Sequence, residues 1–249
     1  MRSTGAVILT IGMLTMPSPR ASSGAEWFLD LESGGAFPGY NDVRVPGETG
    51  TDISVTGDLE TDAAVFFRAR GGVTVGDRHT LSALVAPLTL EASGSVGFPV
   101  LFGDVEFDAA TPLEATYRFD SYRISYSYRF IDNGSLRLDA GLTAKIRDAE
   151  IRLEGGGQTS STANTGFVPL IRFALAWRVG PSVEVLLDGD ALVGPQGRAE
   201  DVFAGVGVGL CPRLVLRAGY RLLEGGADVE QVYNFTMVNY AAVGITAML

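Results

Sequence analysis

Charged side chains recur at every second position of otherwise apolar stretches, and they are the residues of this sequence that could do chemistry. Within 121–130, Arg123 and Arg129 occupy one parity, whereas tyrosine, isoleucine and phenylalanine occupy the other. The stretch 136–147 repeats the pattern. The bases that share the polar parity are Arg68, Arg70, Arg123, Arg129, Arg137, Lys145, Arg147, Arg172, Arg178, Arg217 and Arg221. The acids that share it are Asp30, Glu32, Asp139, Glu184, Asp188 and Asp190.

Ion pairing is the first chemistry that these residues suggest. The first two predicted strands are neighbours, so Asp30 and Glu32 should face Arg68 and Arg70. In the same way, Arg172 and Arg178 should face the acids of the following strand, Glu184, Asp188 and Asp190. If the strands close into a barrel, these residues would line its interior, and we expect a lumen charge network that fills this narrow space. Bases outnumber acids in this set, and a ring of arginine side chains around a pore favours anions. A constricted, anion-preferring path through the lumen is therefore the alternative.

Catalysis has weaker support in the sequence. The single histidine, His79, lies in a predicted turn beside Arg78, away from the long loops, so no Ser-His-Asp arrangement can form around it there. Asp188 and Asp190 could act as an acid and base pair, but carboxylates two residues apart among arginines are more often counter-ions. We expect no enzymatic activity, no cofactor and no resident metal.

The elements that position these residues are strands, because a period of two places alternate side chains on opposite faces. The apolar runs span about 9 to 11 residues, the length of a tilted strand that crosses a bilayer. Ten such strands can be traced between Glu26 and Leu249, and short turns alternate with mostly longer connections. The longer connections are predicted as extracellular loops at 38–60, 93–112, 155–165, 194–197 and 225–231. A short β-like patch at Ile53 leaves open whether the first loop plugs the lumen or adds strands to make twelve.

The polarity of the two faces indicates which side is outside. One face of nearly every strand is almost wholly apolar, and aromatic residues lie near the strand ends, where the interfaces of a membrane barrel belong. The apolar parity also reverses beyond Tyr122 and beyond Ile146, which indicates that the hydrocarbon ends there while the hairpin continues. A soluble β-sandwich is the competing interpretation.

The N-terminus resembles a secretion signal. Arg2 precedes the apolar run 6–16, and small residues end at Ala25, so residues 1–25 are expected to be cleaved. Cleavage removes two arginines and no acid, which takes the formal net charge from −10 to −12. Such acidity argues against nucleic-acid binding. Cys211 is the single cysteine, so no intrachain disulfide can form.

Charged residues also gather near the predicted long loops. We hypothesise that this outer rim binds divalent cations or lipopolysaccharide headgroups, against the simpler interpretation of a solvated rim. The residues are Asn41, Asp42, Arg44, Asp148, Glu150, Arg152, Arg198, Glu200, Asp201, Glu224, Asp228 and Glu230.

The mature chain resembles the small bacterial outer-membrane β-barrel proteins in its strand pattern and in its C-terminal residues 244–249. Such barrels end in an assembly signal of glycine and alternating hydrophobic residues; here Gly244, Ala247 and Leu249 match it, with leucine in place of the usual terminal aromatic. The resemblance implies an all-β, antiparallel up-and-down transmembrane barrel of about ten strands in the outer membrane, and the barrel-assembly machinery, lipid and lipopolysaccharide as partners. It implies no particular activity. We expect a structural or binding role, with a narrow anion-preferring pore and then an enzyme acting on lipid A or peptides as alternatives; the sequence leaves the oligomeric state open.

Overall fold

The computed structural model describes residues 24–194 and 197–249, which form only β-strands and their connections. Among these residues, no helix is long and apolar enough to cross a membrane. Most of the predicted signal peptide lies outside the described residues. The strands are β1 (Ala25–Arg44), β2 (Ile53–Ser54), β3 (Glu60–Thr61), β4 (Ala64–Val75), β5 (His79–Ala86), β6 (Thr89–Gly94), β7 (Val100–Phe102), β8 (Val105–Phe107), β9 (Leu113–Asp132), β10 (Leu136–Gly155), β11 (Gln158–Arg178), β12 (Val183–Gly194), β13 (Gly197–Cys211), β14 (Leu214–Val229) and β15 (Val232–Met248).

Ten antiparallel strands close into a barrel. The sheet runs from β10 through β11, β12, β13, β14, β15, β1, β4 and β5 to β9, and β9 pairs with β10 to close it. β5 and β6 are two halves of one barrel strand, since both pair with β9 and are separated only at Pro87 and Leu88. Proline cannot donate to the ladder, which accounts for the interruption. The predicted ten-stranded barrel is confirmed; β2 and β3 pair over two residues each and do not enlarge the wall.

The two rims of the barrel differ. The first and last barrel strands pair with each other, with Phe28 opposite Met248, so the start of β1 and the end of β15 lie on one rim together with the short turns at 76–78, 133–135, 179–182 and 212–213. We call this the short-turn rim. On the other rim the strands continue well past the apolar stretches. We call that part the head, and it comprises residues 38–64, 87–120, 147–166, 197–200 and 223–238.

The wall between the two rims is apolar outside and polar inside. Its outward side chains form a broad exposed belt that includes Trp27, Leu29, Phe67, Leu81, Val85, Tyr122, Ile124, Tyr126, Leu142, Ile146, Ile171, Trp177, Val206, Leu216 and Val243. Arginine, aspartate and glutamate side chains are buried inside the same strands. A closed barrel satisfies its backbone hydrogen bonds internally, so this inverted polarity suits lipid rather than water.

The head has the opposite polarity. On β9 the inward side chains change from Arg123 and Ser121 in the wall to Tyr117, Ala115 and Leu113 in the head, all of them buried. The outward side chains there become charged. The apolar core of the head contains Val43, Val45, Ile53, Val55, Leu59, Leu90, Val96, Val100, Phe102, Phe107, Leu113, Ala115, Tyr117, Ile151, Leu153 and Val238. The reversal of parity predicted beyond Tyr122 and Ile146 is therefore present, and it marks the upper edge of the belt.

Several predicted loop boundaries are wrong because the strands do not end where the apolar alternation ends. β1 continues past Pro38 and pairs with β15 as far as Arg44. A β-bulge between Pro38 and Tyr40 accommodates the proline within the strand. The remainder of the predicted loop 38–60 adds no strand to the wall and does not plug the lumen. Its residues Val45, Ile53 and Val55 pack into the apolar core of the head, above the lumen. Within the predicted loop 93–112, the hairpin of β7 and β8 packs into the same core.

The predicted loops 155–165 and 225–231 are almost entirely strand. β10 and β11 join through Gly156 and Gly157, whose φ angles of 56° and 79° allow a two-residue hairpin turn. β14 and β15 join at residues 230–231. These stretches have the polar composition of loops because a strand that passes from lipid into water needs polar residues on its outer face. Around 194–197, Gly194 and Gly197 themselves belong to the paired strands β12 and β13.

Candidate functional site

The centre of the lumen is an aspartate shared by three arginines. Asp201 on β13 accepts hydrogen bonds from Arg68 of β4 at 2.9 Å, Arg123 of β9 at 2.5 Å and Arg221 of β14 at 2.6 Å. Its side chain is 2% exposed. The prediction that Asp201 lies on the outer rim is wrong, because Asp201 faces inward and is buried, whereas the neighbouring Val202 faces outward.

Glu32 extends this arrangement toward the first strand. Its carboxylate accepts a bidentate pair from Arg221, at 2.7 Å from Nε and 2.9 Å from Nη2. Arg217 binds Asp30 at 2.5 Å, and Asp30 also accepts a hydrogen bond from Thr246 at 2.6 Å. Bidentate arginine–carboxylate pairs have a fixed geometry, so β1 and β14, which flank β15, are also joined by side chains on the lumen face of the sheet.

Two further acids complete the layer on the opposite wall. Asp190 pairs with Arg123 at 2.7 Å and accepts a hydrogen bond from Thr143 at 2.6 Å. Asp188 pairs with Arg172 and, at 3.5 Å, with Arg70. We call the set Glu32, Arg68, Arg123, Arg172, Asp188, Asp190, Asp201 and Arg221 the charge layer. As predicted, Asp30 faces Arg70 and Glu32 faces Arg68 across the β1–β4 pair, and Glu32 lies 3.7 Å from Arg68. The shortest contacts of both acids are instead with Arg217 and Arg221 of β14, on the far side of β15.

Other residues of the predicted network lie outside the charge layer. Arg129 pairs with Asp139 at 3.1 Å, and Arg178 with Glu184 at 3.7 Å, both nearer the short-turn rim. Arg137 has no carboxylate within ion-pair distance in the described part of the chain.

Two predicted network bases lie toward the head. Lys145 is buried with its ammonium 4.7 Å from the ring of Phe119. Arg147 donates to Asn164. The structure thus divides the predicted set between the charge layer, the short-turn rim and the base of the head.

The lumen is open below the charge layer and filled above it. A cavity of about 360 Å³ lies on the short-turn side, and its lining includes Arg70, Arg137, Asp139, Arg217 and Glu184. On the head side, the space lined by Arg68, Arg123 and neighbouring side chains is only about 10 Å³, far smaller than the cavity on the short-turn side. Beyond it lies the apolar core of the head.

Two clusters on the outer wall of the head tie adjacent strands together. Arg118 lies 2.8 Å from Asp148 and 2.9 Å from Asp120. The hydrogen bond from Arg118 lowers the pKa of Asp148. The second cluster contains Tyr40, which donates to Glu224 at 2.6 Å. Burial and that hydrogen bond raise the pKa of Tyr40.

The residues of the predicted outer rim therefore fall into separate small clusters and pairs rather than one site. Arg198 pairs with Glu224, and Arg152 with Glu154. Asn41 is buried and accepts a hydrogen bond from Thr236, so its inclusion in the rim was wrong. Within residues 24–194 and 197–249, no group of three or more histidine, cysteine, aspartate or glutamate side chains could hold a metal ion.

His79 lies on the short-turn rim, at the start of β5. Its Nδ1 is 2.9 Å from the hydroxyl of Tyr126. The residues of the C-terminal pattern lie on β15 and just beyond it: Gly244 pairs with Glu32, Ala247 pairs with Leu29, and Leu249 donates its N–H to the carbonyl of Trp27. The two ends of the chain thereby close the barrel seam.

Formal charge is distributed very unevenly between the head and the rest of the barrel. The head carries nineteen acidic residues and five basic ones, a formal charge of −14. The acids are Asp42, Glu48, Asp52, Asp58, Glu60, Asp62, Glu91, Asp104, Glu106, Asp108, Glu114, Asp120, Asp148, Glu150, Glu154, Glu200, Glu224, Asp228 and Glu230, and the bases are Arg44, Arg118, Arg147, Arg152 and Arg198. The wall, lumen and short-turn rim carry ten acids and twelve bases, so the acidity of the barrel belongs entirely to its head.

Comparison with known proteins identifies the fold. Neither a protein-family model nor a curated protein sequence matches the chain. Among solved structures, the outer membrane protease OmpT from Escherichia coli matches with a TM-score of 0.56 and 8% identity, over 90% of this chain and 97% of OmpT. The attachment invasion locus protein Ail of Yersinia pestis matches with a TM-score of 0.37 and 12% identity, over 90% of this chain and 99% of Ail.

The likeness to OmpT shows the fold alone, which is that of the bacterial outer-membrane β-barrel proteins. The exposed apolar belt requires lipid as its solvent, and closed barrels with short turns on one rim and long extensions on the other span the bacterial outer membrane. The protein is therefore an outer-membrane barrel. From the same layout we expect the short-turn rim to face the periplasm and the head to be extracellular.

Proposed function

We propose that the protein is a non-conducting outer-membrane barrel of structural or binding type, whose working surface is the extracellular head. One observation carries the proposal: the lumen is crossed by the charge layer, and the apolar core of the head lies directly above it. Arg123 and Asp190 are each 1% exposed, so neither water nor a solute has a path between them. An ion would have to break several buried ion pairs and then enter an apolar core, which is costly.

A narrow anion-preferring pore is the second candidate. The cavity on the periplasmic side favours it, because its lining includes Arg137, a base without an acidic partner among the described residues, and Arg217, whose Nε is buried without a hydrogen bond. Transport would require the core of the head to open, whereas binding at the head requires no such change.

Conductance in planar lipid bilayers separates the two candidates. We expect the purified protein to insert without discrete current steps, while a general porin purified in the same way produces them. Regular steps with anion selectivity that Arg137→Gln reduces would instead support the pore.

We also propose that the protein lacks catalytic activity. His79 supports this, because it lies on the rim opposite the head and contacts Tyr126. OmpT is named a protease, but at 8% identity only its fold is informative here. We expect no product, by mass spectrometry, when the protein in detergent is incubated with lipid A or with a peptide library; turnover that follows the folded protein through purification would refute the proposal.

A further inference from the structure

One strand of the barrel has a long free edge in the head. β11 is 21 residues long, but it pairs with β12 only from Ile171 to Arg178. Its other side pairs with β10 along its whole length, as far as Gln158 opposite Gly155. In the described part of the chain, no strand pairs with the β12 side of residues 158–170. We call this side of residues 158–170 the open edge.

The ladder between β11 and β12 ends where a proline occurs. Arg178 donates its N–H to Ser135 on the β10 side, and Val179 donates its N–H to Val183 on the β12 side. Backbone groups alternate in direction along a strand, so odd-numbered residues of β11 direct their N–H and C=O groups toward β12. Pro169 is the next residue of β11 whose backbone faces β12, and it has no N–H to donate. The hydrogen bond that would extend the ladder beyond Ile171 therefore cannot form.

The same alternation identifies the free groups of the open edge. The N–H and C=O groups of Thr159, Ser161, Ala163, Thr165 and Phe167 point away from β10, and all five residues are exposed. The row spans roughly 27 Å at about 3.3 Å per residue. Exposed edges are usually protected by charged side chains, by proline or by bulges. Residues 158–168 contain no charged residue and no proline, and the pairing with β10 shows no bulge.

The surroundings of the open edge are acidic. The outer face of the adjoining strands carries Glu114, Asp120, Asp148, Glu150 and Glu154. Only two bases, Arg118 and Arg152, lie on that face, and both are already paired with carboxylates. A strand added at this edge would meet an uncharged backbone ladder beside a negative surface.

We propose that the open edge is a docking site for an extended cationic segment of an extracellular protein, which adds to the sheet as a further strand. The main-chain groups would provide hydrogen bonds, and the acidic face would select lysine and arginine side chains. This rests on the proposed function, because it names the kind of partner that the head binds. Pairing between two copies of this chain is disfavoured, since each head carries a formal charge of −14.

The test measures binding of a labelled ten-residue peptide of alternating threonine and lysine to the full-length protein in uncharged nanodiscs, by fluorescence anisotropy. We expect saturable binding that weakens as salt rises from about 0.05 to about 0.5 M, because the charges are exposed. A peptide of alternating threonine and glutamate should not bind. Equal binding of both peptides would overturn the charge argument.

Two changes test the strand pairing itself. Ala163→Pro removes one free N–H while leaving the ladder with β10 intact, and Ala163→Thr keeps that N–H as the matched control. We expect the proline variant to weaken binding by about tenfold or more, the effect of a hydrogen bond that can no longer form. The threonine variant should bind within about twofold of the parent protein.

A peptide N-methylated at every residue tests the same point without altering the protein. This peptide keeps its charge, but its backbone has no N–H group that can donate a hydrogen bond to the open edge. We therefore expect it not to bind. Undiminished binding of the methylated peptide, or of Ala163→Pro, would refute the proposal. So would absence of peptide binding together with dimers that Ala163→Pro dissociates, because the edge would then pair with a second copy. Conductance steps would refute the non-conducting barrel without affecting these measurements.

Discussion

At the scale of single residues, the key side chain is Asp201. A buried carboxylate is tolerated only when cations compensate it, and Asp201 has three arginines from three different strands within 3 Å. Each of these arginines contacts a further acid, so the charge layer is one connected network. Removing any member leaves its partners buried with fewer counter-charges.

Asp201→Asn tests this network. We expect it to lower the free energy of unfolding by about 3–5 kcal/mol, because breaking a buried ion pair leaves uncompensated charge behind. The measurement is urea unfolding of the protein in detergent micelles, followed by tryptophan fluorescence. Asp52→Asn is the matched control: Asp52 pairs with Arg44 at 3.0 Å but is 70% exposed. Its loss should cost no more than about 1 kcal/mol. Similar effects of the two substitutions would contradict a cooperative charge layer.

At the scale of elements, the hairpin of β10 and β11 passes through two environments. Its lower part has an apolar outer face in lipid, and its upper part has a polar outer face in water. The backbone geometry is the same throughout, since the pairing register runs from Leu136 opposite Trp177 to Gly155 opposite Gln158 without a shift. Solvent alone therefore determines which residue types each outward position accepts.

Leu142→Arg and Ala163→Arg test this change of solvent within one hairpin. Leu142 lies near the middle of the apolar run of β10, so we expect arginine there to destabilise the barrel by about 2–4 kcal/mol. Ala163 lies in the head opposite Glu150, and arginine there should change stability by no more than about 0.5 kcal/mol. Heat-modified migration in gels and urea unfolding both report the difference. Equal tolerance at the two positions would contradict the position of the lipid boundary.

At the scale of the whole molecule, the two ends of the barrel are chemically distinct. The short-turn end carries short turns and an open cavity, and the head carries a closed apolar core beneath an acidic surface. In the orientation that we expect, the acidic surface faces the outside of the cell. The acidic residues of the head lie on the parts of the strands and connections that extend beyond the lipid.

Cys211 provides a test of this orientation, because it is the single cysteine and is exposed beside a turn of the short-turn rim. A maleimide attached to a large polyethylene glycol should leave Cys211 unlabelled in intact cells and label it after the outer membrane is permeabilised. In a Cys211→Ser background, Thr159→Cys should be labelled in intact cells. Labelling of Cys211 from outside would show that the barrel is inserted the other way.

The sequence by itself determined the class of the fold, the number of barrel strands and the side of the wall that faces lipid. These follow from alternation along a single strand, which is a local property. It also indicated where the lipid ends, because the parity of apolar residues reverses beyond Tyr122 and Ile146. It misplaced the ends of the strands, since composition alone does not distinguish a polar loop from a strand with a polar outer face.

Only the tertiary structure decided which charges meet. Asp201 is 133 residues from Arg68 and 78 from Arg123, and their contact depends on the register and tilt of a closed barrel rather than on either strand alone. For the same reason the free edge of β11 could not be read from the sequence. Which strand lacks a neighbour is decided by the relative lengths of β11 and β12 and by the pairing of all ten strands around the ring.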